Sequence, residues 1–178
     1  MLTTHVPEAF RLCPPNTLFL DVDGVLTNNQ IVISALGVES KCFHVPDGLG
    51  IQMLRKSGVR VGFISGRASL VVEIRARELG VDWQMSGVAD KRVALRDLAL
   101  REQVDLARSV YVGDDLVDLP AMSCVGLPVA VANAHAAIKE RAAATTLARG
   151  GEGAVREVCE WILRARGDWE RIMESHNE

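Results

Sequence analysis

Residues 18–27, Leu18-Phe19-Leu20-Asp21-Val22-Asp23-Gly24-Val25-Leu26-Thr27, decide how the rest of the chain is read. An apolar run of strand length ends in two carboxylates two residues apart, followed by glycine. A strand buried on both faces reads as a near-continuous apolar run, and side chains at i and i+2 of a strand point the same way. Asp21 and Asp23 are therefore expected side by side at the strand's C-terminal mouth, where ligands bind in open α/β sheets. Two carboxylates about 4 Å apart repel by roughly 4 kcal/mol at an effective dielectric of 20, so the pair needs a divalent cation or a proton. Held by a metal, one aspartate is free to attack and the other, its pKa raised, to donate a proton. The competing interpretation is a strand-end turn whose acids cap the next segment.

Outward from this stretch, strand and helix patterns alternate. Residues 1–16 lack sustained periodicity and end in Pro14-Pro15-Asn16, which forbids a helix running into the strand. Residues 30–45 fit two short strands around a turn at Gly37. A helix from Asp47 stops at Ser57-Gly58, residues 59–64 form a second apolar strand, and a helix over 70–79 stops at Gly80. A short strand at 83–85 precedes a helix that opens at Asp90-Lys91 and runs through Arg101. Strands at 109–112 and 127–131 follow, then an alanine-rich helix to Ala144 and a small strand at 145–147. After the break Gly150-Gly151-Glu152-Gly153, residues 154–166 place Val155, Val158, Trp161 and Ile162 on one helical face. The expected fold is a single α/β domain over residues 1–178, a Rossmann-like parallel sheet flanked by helices. A small β-hairpin insert, about 28–46, stands in place of a large cap.

Composition narrows the class. At 178 residues the chain is long enough to bury most of its unfolded surface, and no apolar run approaches the roughly 18 residues of a membrane span. A net charge of −3 without a basic cluster argues against nucleic acid as a partner. An anionic substrate would then need locally placed cations. Cys13, Cys42, Cys124 and Cys159 form no CxxC pair and the four histidines are scattered, so buried reduced thiols are expected rather than a zinc site or disulfides. That points to the cytoplasm. Residues 1–8 have neither a basic start nor an apolar core, and no secretory leader is expected there.

Three strands thus end in functional polar groups, Asp21/Asp23, Ser65 and Asp114/Asp115, while Lys91 opens a helix. Parallel strands put all these ends on one edge. Asp21 with Asp114 offers the oxygen-only ligation that Mg²⁺ prefers, and Ser65, with Gly66 beside it, and Lys91 are placed to hold the remaining phosphoryl oxygens. Taken singly, Ser65 is as readily a helix cap and Lys91 a solvated first-turn residue.

In this order, Asp-x-Asp-Gly-x-Leu-Thr, a strand-end Ser-Gly, a lysine and Gly-Asp-Asp-x-x-Asp resemble the four motifs of the haloacid dehalogenase-like phosphatases, over residues 18–166. The resemblance implies that Asp21 attacks phosphorus to form an aspartyl-phosphate. It further implies that Asp23 protonates the leaving alkoxide, later deprotonates the hydrolytic water, and lends Mg²⁺ its backbone carbonyl; Asp114 completes the metal site. Asp115 and Asp118 remain open between capping the short helix before Pro120 and tightening the metal shell.

The hairpin is too small to close over a substrate alone. Phe43-x-x-x-Asp47-Gly48-x-Gly50-Ile51, Ser65-Gly66-Arg67 with Arg75 eight residues on, and the run from Gly150 to Val158 are similar to the 3-deoxy-D-manno-octulosonate (KDO) 8-phosphate phosphatase family of lipopolysaccharide-sugar synthesis. That similarity implies a homotetramer whose hairpins assemble and whose C-terminal segment, about 149–178, reaches a neighbour's site. Arg67 and Arg75, about two helical turns apart, are the expected anchors for the sugar acid, the alternative being helix charge paired with Glu73 or Glu78. Residues 167–178 are polar and give little support for a fixed lid. One departure is Asn28-Asn29, where the family commonly has Asp-Gly, so the hairpin's entry turn is expected to differ.

The implied activity is a Mg²⁺-dependent phosphomonoesterase acting on a keto-deoxy sugar acid phosphate, with no membrane partner. A nine-carbon sialic-type acid 9-phosphate is the nearest alternative substrate, and Arg67 favours the eight-carbon acid. A phospho-acceptor domain of receiver type normally carries its aspartate on a later strand with no acid two residues on. A non-catalytic oligomerisation subunit that kept the motifs is the third alternative.

Overall fold

In the computed structural model, which describes residues 5–175, the chain runs α1 (Glu8–Leu12), β1 (Thr17–Leu20), β2 (Val32–Ile33), β3 (Glu39–Ser40), α2 (Val45–Lys56), β4 (Arg60–Ile64), α3 (Leu70–Leu79), β5 (Trp83–Met85) and α4 (Lys91–Glu102). It continues through β6 (Ser109–Gly113), α5 (Leu119–Met122), β7 (Leu127–Ala130), α6 (Ala136–Lys139), β8 (Ala144–Thr145), α7 (Ala154–Arg166) and α8 (Trp169–Ser175). Two single turns of 3-10 helix lie at Leu106–Arg108 and Leu116–Asp118. Met1–Thr4 and His176–Glu178 lie outside the described residues, so the expectations for residues 1–8 and for the polar tail fall partly beyond them.

All four residues of β1 are buried, as a central parallel strand requires. Six parallel strands stand in the order β5-β4-β1-β6-β7-β8. From β1 the chain builds first toward β5 and then toward β8, so β1 and β6 flank the point where strand order reverses, the crevice in which such sheets bind ligands. Register fixes which residues share that crevice. Leu20 pairs with Phe63 of β4 and Val112 of β6, so Asp21, Ser65 and Asp114 leave the sheet along one edge. β2 and β3 form a separate antiparallel hairpin, Val32 opposite Ser40.

Helix α7 packs along α2. Contact is close enough that a Cβ on Gly50 would lie 3.1 Å from Cys159 Cβ. The N-cap of α7 is Gly153, which has no side chain to satisfy the helix's first N–H groups; Asp47 supplies one from α2, accepting from Arg156 N at 2.8 Å. Phe10 meets Trp161 edge-on at 5.7 Å and seats α1 on α7.

Several elements differ from expectation. α1 occupies the lead-in, a turn with Phe10 as its one buried residue and hence without periodicity to read. Residues 41–44 leave the hairpin as a link, and α2 begins at Val45, with Pro46 in its first turn, where a proline's missing N–H is harmless. The alanine-rich helix ends at Lys139, because residues 143–145 are drawn beside β7, Ala143 N donating to Pro128 O at 2.7 Å. The polar tail forms α8, held by Trp169 beneath Arg164 (4.2 Å) and Arg156 (5.9 Å). All four cysteines are free, as expected, but only Cys159 is buried and Cys42 is exposed. Among the described residues no helix is long and apolar enough to cross a membrane.

Ile162 is fully buried on α7. Ile162→Ala is expected to remove about 2–5 kcal/mol, lowering Tm by roughly 5–15 °C for a chain of this size; a thermal melt within about 2 °C of the parent would show that this face does not carry the fold.

Candidate active site

The loop after β1 is wound tightly so that two acids can leave it in different directions. Val25, Leu26 and Thr27 all donate their N–H to Val22 O, at 3.3, 3.0 and 3.1 Å, and Gly24 N donates to Thr27 Oγ1 at 3.3 Å. Gly24 has φ +96°, and a Cβ there would fall 2.0 Å from Asp114 Oδ2, so only glycine lets the carboxylate from β6 approach. A second backbone rests against this loop from behind. Gly151 N donates to Val25 O at 2.9 Å, and a Cβ on Gly150 would lie 1.7 Å from Gly24 O. The Gly150–Gly153 run therefore buttresses the Asp21/Asp23 loop within its own chain.

The central contact is an ammonium between carboxylates. Lys91, the first residue of α4 behind the N-cap Asp90, donates to Asp21 Oδ1 at 2.6 Å and Asp118 Oδ1 at 2.7 Å. All three side chains are almost wholly buried. Asp118 also accepts from Tyr111 Oη at 2.9 Å, Asp114 N at 3.0 Å and Asp115 N at 3.3 Å. A carboxylate has about four acceptor sites, and those of Asp118 are filled. Asp118 thus orients Lys91 and the β6 loop, while Asp115 caps the Leu116–Asp118 turn, accepting from Leu116 N at 2.7 Å.

Oxygens of Asp21, Asp114 and Asp118 lie within 4.8 Å of one another. Three carboxylates face one ammonium, leaving an excess of two negative charges in a buried place. Burial raises the pKa of Asp21 to about 7, with Asp118 adding to it and Lys91 opposing. Asp114 is raised to about 8, by burial and then by Asp21, Asp118 and Asp115. Burial alone would lower Lys91, but Asp21 and Asp118 overcome it and its pKa is raised. A hard divalent cation fits this oxygen-only donor set, with Asp21 and Asp114 as the carboxylates that keep acceptor capacity. Asn29, at φ +66°, donates from Nδ2 to Asp114 Oδ2 at 3.2 Å. Asn29 thus takes a left-handed turn conformation at the hairpin's entry and gives the acid a hydrogen bond.

A cleft of about 350 Å³ opens above these groups, with Asp21, Asp23, Ser65, Gly66, Arg67, Lys91 and Asp114 among its lining residues. Ser65 is buried and its Oγ accepts from Arg67 N at 3.1 Å. Arg67 is half exposed, its Nε 4.0 Å from Asp23 Oδ2. Arg75 is not brought to the cleft. Arg67 precedes α3 and is not on its helical surface, so two-turn spacing does not align the pair; Arg75 instead bonds Glu78 at 2.9 Å and lies 5.6 Å from the centre of the Phe43 ring. The C-terminal segment does not close over its own chain's site as far as residue 175: Arg166 bonds Pro15 O and Ser57 O at the opposite edge of the sheet, and α8 begins there.

Residues 84–157 match the model of the haloacid dehalogenase-like hydrolases. The 3-deoxy-D-manno-octulosonate 8-phosphate phosphatase of Salmonella typhi is 44% identical over 169 residues, covering 93% of this chain and 87% of the relative. The chain belongs to the KDO 8-phosphate phosphatase family. Its fold matches the crystal structure of that phosphatase from Moraxella catarrhalis, in complex with magnesium, phosphate and KDO, with a TM-score of 0.92 and 37% identity over 97% of this chain and 99% of the other. The Yersinia pestis phosphatase structure gives a TM-score of 0.88 at 41% identity, covering 91% and 88%.

For this member of the KDO 8-phosphate phosphatase family, the charge excess predicts a pH-dependent stability. Folded Asp21 and Asp114 hold protons to about pH 7 and 8, against 3.8 ordinarily. Without a cation the folded chain then binds more protons than the unfolded chain between about pH 4 and 8, and stability falls as pH rises through that window. The metal-free Tm is expected to drop from pH 5 to pH 8, and Mg²⁺ to raise Tm more at pH 8 than at pH 5. A Tm that rises with pH, or is indifferent to Mg²⁺ at both, would contradict the assignment.

Proposed function

We propose that this chain is a Mg²⁺-dependent phosphomonoesterase that hydrolyses KDO 8-phosphate to KDO and phosphate. The observation that carries this is the buried Asp21–Lys91–Asp118 contact beside Asp114, in a chain similar over nearly its whole length to a phosphatase that holds magnesium, phosphate and KDO. Asp21 is the nucleophile: a carboxylate oxygen attacks phosphorus, the P–O bond to the sugar breaks, and Asp23 gives its proton to the leaving alkoxide. Water then attacks the phosphorus of the aspartyl-phosphate, Asp23 takes its proton, and phosphate leaves with Asp21 restored. Ser65, Gly66 and Lys91 hold the non-bridging oxygens. Mg²⁺, held by Asp21, Asp114 and the Asp23 carbonyl, would supply neutralisation of phosphoryl charge so that two anions can meet.

Arg67, at the cleft mouth, is our assigned anchor for the sugar acid's carboxylate. Arg75 is instead engaged by Glu78 and the Phe43 ring. The hairpin supports assembly into a homotetramer, since Val32, Ile33, Leu36 and Val38 are all well exposed, Leu36 at 90%; an exposed apolar patch of this kind marks an interaction surface. Four free thiols support action in the reducing cytoplasm.

Side-by-side assay of KDO 8-phosphate and a nine-carbon sialic-type acid 9-phosphate with Mg²⁺ is expected to favour the first by at least tenfold in kcat/KM; the reverse preference would overturn the substrate. Asp21→Asn is expected to lower kcat by roughly 10³-fold or more. Arg67→Ala should raise KM for KDO 8-phosphate at least tenfold more than KM for acetyl phosphate, and equal changes would remove the anchor role. Light scattering is expected to give four chain masses, reduced by Ile33→Lys with Leu36→Lys; a single chain mass for the parent would refute the assembly.

A further inference from the structure

The hairpin turns its apolar side chains to solvent and one cation inward. Lys41 follows β3 directly, and its side chain has no exposed surface. Its Nζ donates to Asp23 Oδ1 and lies 3.2 Å from Glu39 Oε1. That same Glu39 oxygen accepts from Ser69 Oγ at 3.3 Å, Ser69 being the N-cap residue of α3 that makes no cap bond to its own helix. An unbroken line of polar contacts, Asp23–Lys41–Glu39–Ser69, therefore ties the acid to both the hairpin and α3.

Among the described residues, the other cations of the cleft are committed elsewhere or stand off. Lys91 serves Asp21 and Asp118, and Arg67 approaches Asp23 only to 4.0 Å. A buried ion pair adds little net stability, because desolvation offsets its Coulomb attraction. What Lys41 supplies is geometry. With an ammonium donating to Oδ1, the proton of an Asp23 carboxylic acid resides on Oδ2, so a single contact selects which oxygen delivers it.

We propose that Lys41 is a positioning residue for proton delivery: it fixes the Asp23 carboxylate so that Oδ2 carries the proton to the ester oxygen as the P–O bond breaks. Lys41 keeps its own protons throughout. This rests on Asp23 as the general acid. In the first step its effect falls on substrates whose leaving group needs a proton, an alkoxide, and much less on acetyl phosphate, which releases acetate without one; the second step, with Asp23 as base, is common to both.

The test compares kcat/KM for KDO 8-phosphate and acetyl phosphate at saturating Mg²⁺, because kcat/KM reports the steps through departure of the leaving group and leaves out the aspartyl-phosphate hydrolysis that both substrates share. General-acid catalysis contributes about 10²–10⁴-fold, so Lys41→Met is expected to lower the ratio of the two kcat/KM values at least tenfold, and Lys41→Arg to recover part of it. Glu39→Gln, which keeps Lys41 but removes the carboxylate that steadies it, should lower the ratio less, and carries the test should Lys41→Met fail to fold. An unchanged ratio in the folded variants overturns the proposal. Asp23→Asn separates the two levels: a lowered ratio there but not in Lys41→Met removes only the role of Lys41. An unchanged ratio in Asp23→Asn removes the acid role of Asp23 and the proposal with it.

Discussion

One ammonium shared between two buried carboxylates, with a third beside them, is the constraint that the architecture serves. Lys91 meets Asp21 and Asp118 at 2.6 and 2.7 Å, and Asp114 lies within the same few ångströms. Such an arrangement is costly in a fold's interior, since isolated charges there are strongly disfavoured. It persists because Lys91, Tyr111 and two backbone N–H groups donate into it. Asp118 receives four, and in doing so fixes Lys91, Tyr111 and the turn after β6 together. The remaining excess of negative charge is what makes the place suited to a divalent cation and, through it, to a phosphoryl group.

The fold achieves this by bringing backbones together, not by enclosing the site. β1 and β6 deliver Asp21 and Asp114 to one edge, and the loop between β1 and the hairpin closes on Val22 O. Behind it, Gly150 and Gly151 press backbone against backbone, which side chains would prevent. Those glycines lead into α7, whose N-terminus is capped from α2 by Asp47. The glycine run, α7 and α2 therefore form one support for the Asp21/Asp23 loop, whereas the hairpin reaches the same loop from the other side through Lys41.

Legibility in the sequence followed the range of the physics involved. β1 and the acids after it were readable because continuous burial in a parallel strand needs an apolar run, and charges at its end are conspicuous. The helix that opens at Lys91 was readable from Asp90, which marks a helix start; alone, Lys91 read equally as a solvated first-turn residue, and only its place in the ordered set of motifs singled it out. Asp118 was left open because its role depends on Lys91, far along the chain, and on Tyr111. Lys41 was not singled out: residues 41–45 read as part of the second hairpin strand, whereas that strand is two residues long and ends at Ser40, too short for alternation to say which side chain turns inward. Arg75 misled because spacing presumes that both residues lie on one helix, and Arg67 does not. The alanine-rich stretch read as a longer helix because propensity is local, while the pairing of β8 with β7 is not.

In the proposed mechanism covalent chemistry falls on Asp21 alone among the clustered acids. Its most direct test is an acid quench early in the turnover of KDO 8-phosphate, borohydride reduction of any acyl phosphate to the corresponding alcohol, and peptide mass analysis. Reduction confined to residue 21 is the predicted result. Reduction at residue 23, 114 or 118, or none at any acid while phosphate is being released, would contradict it.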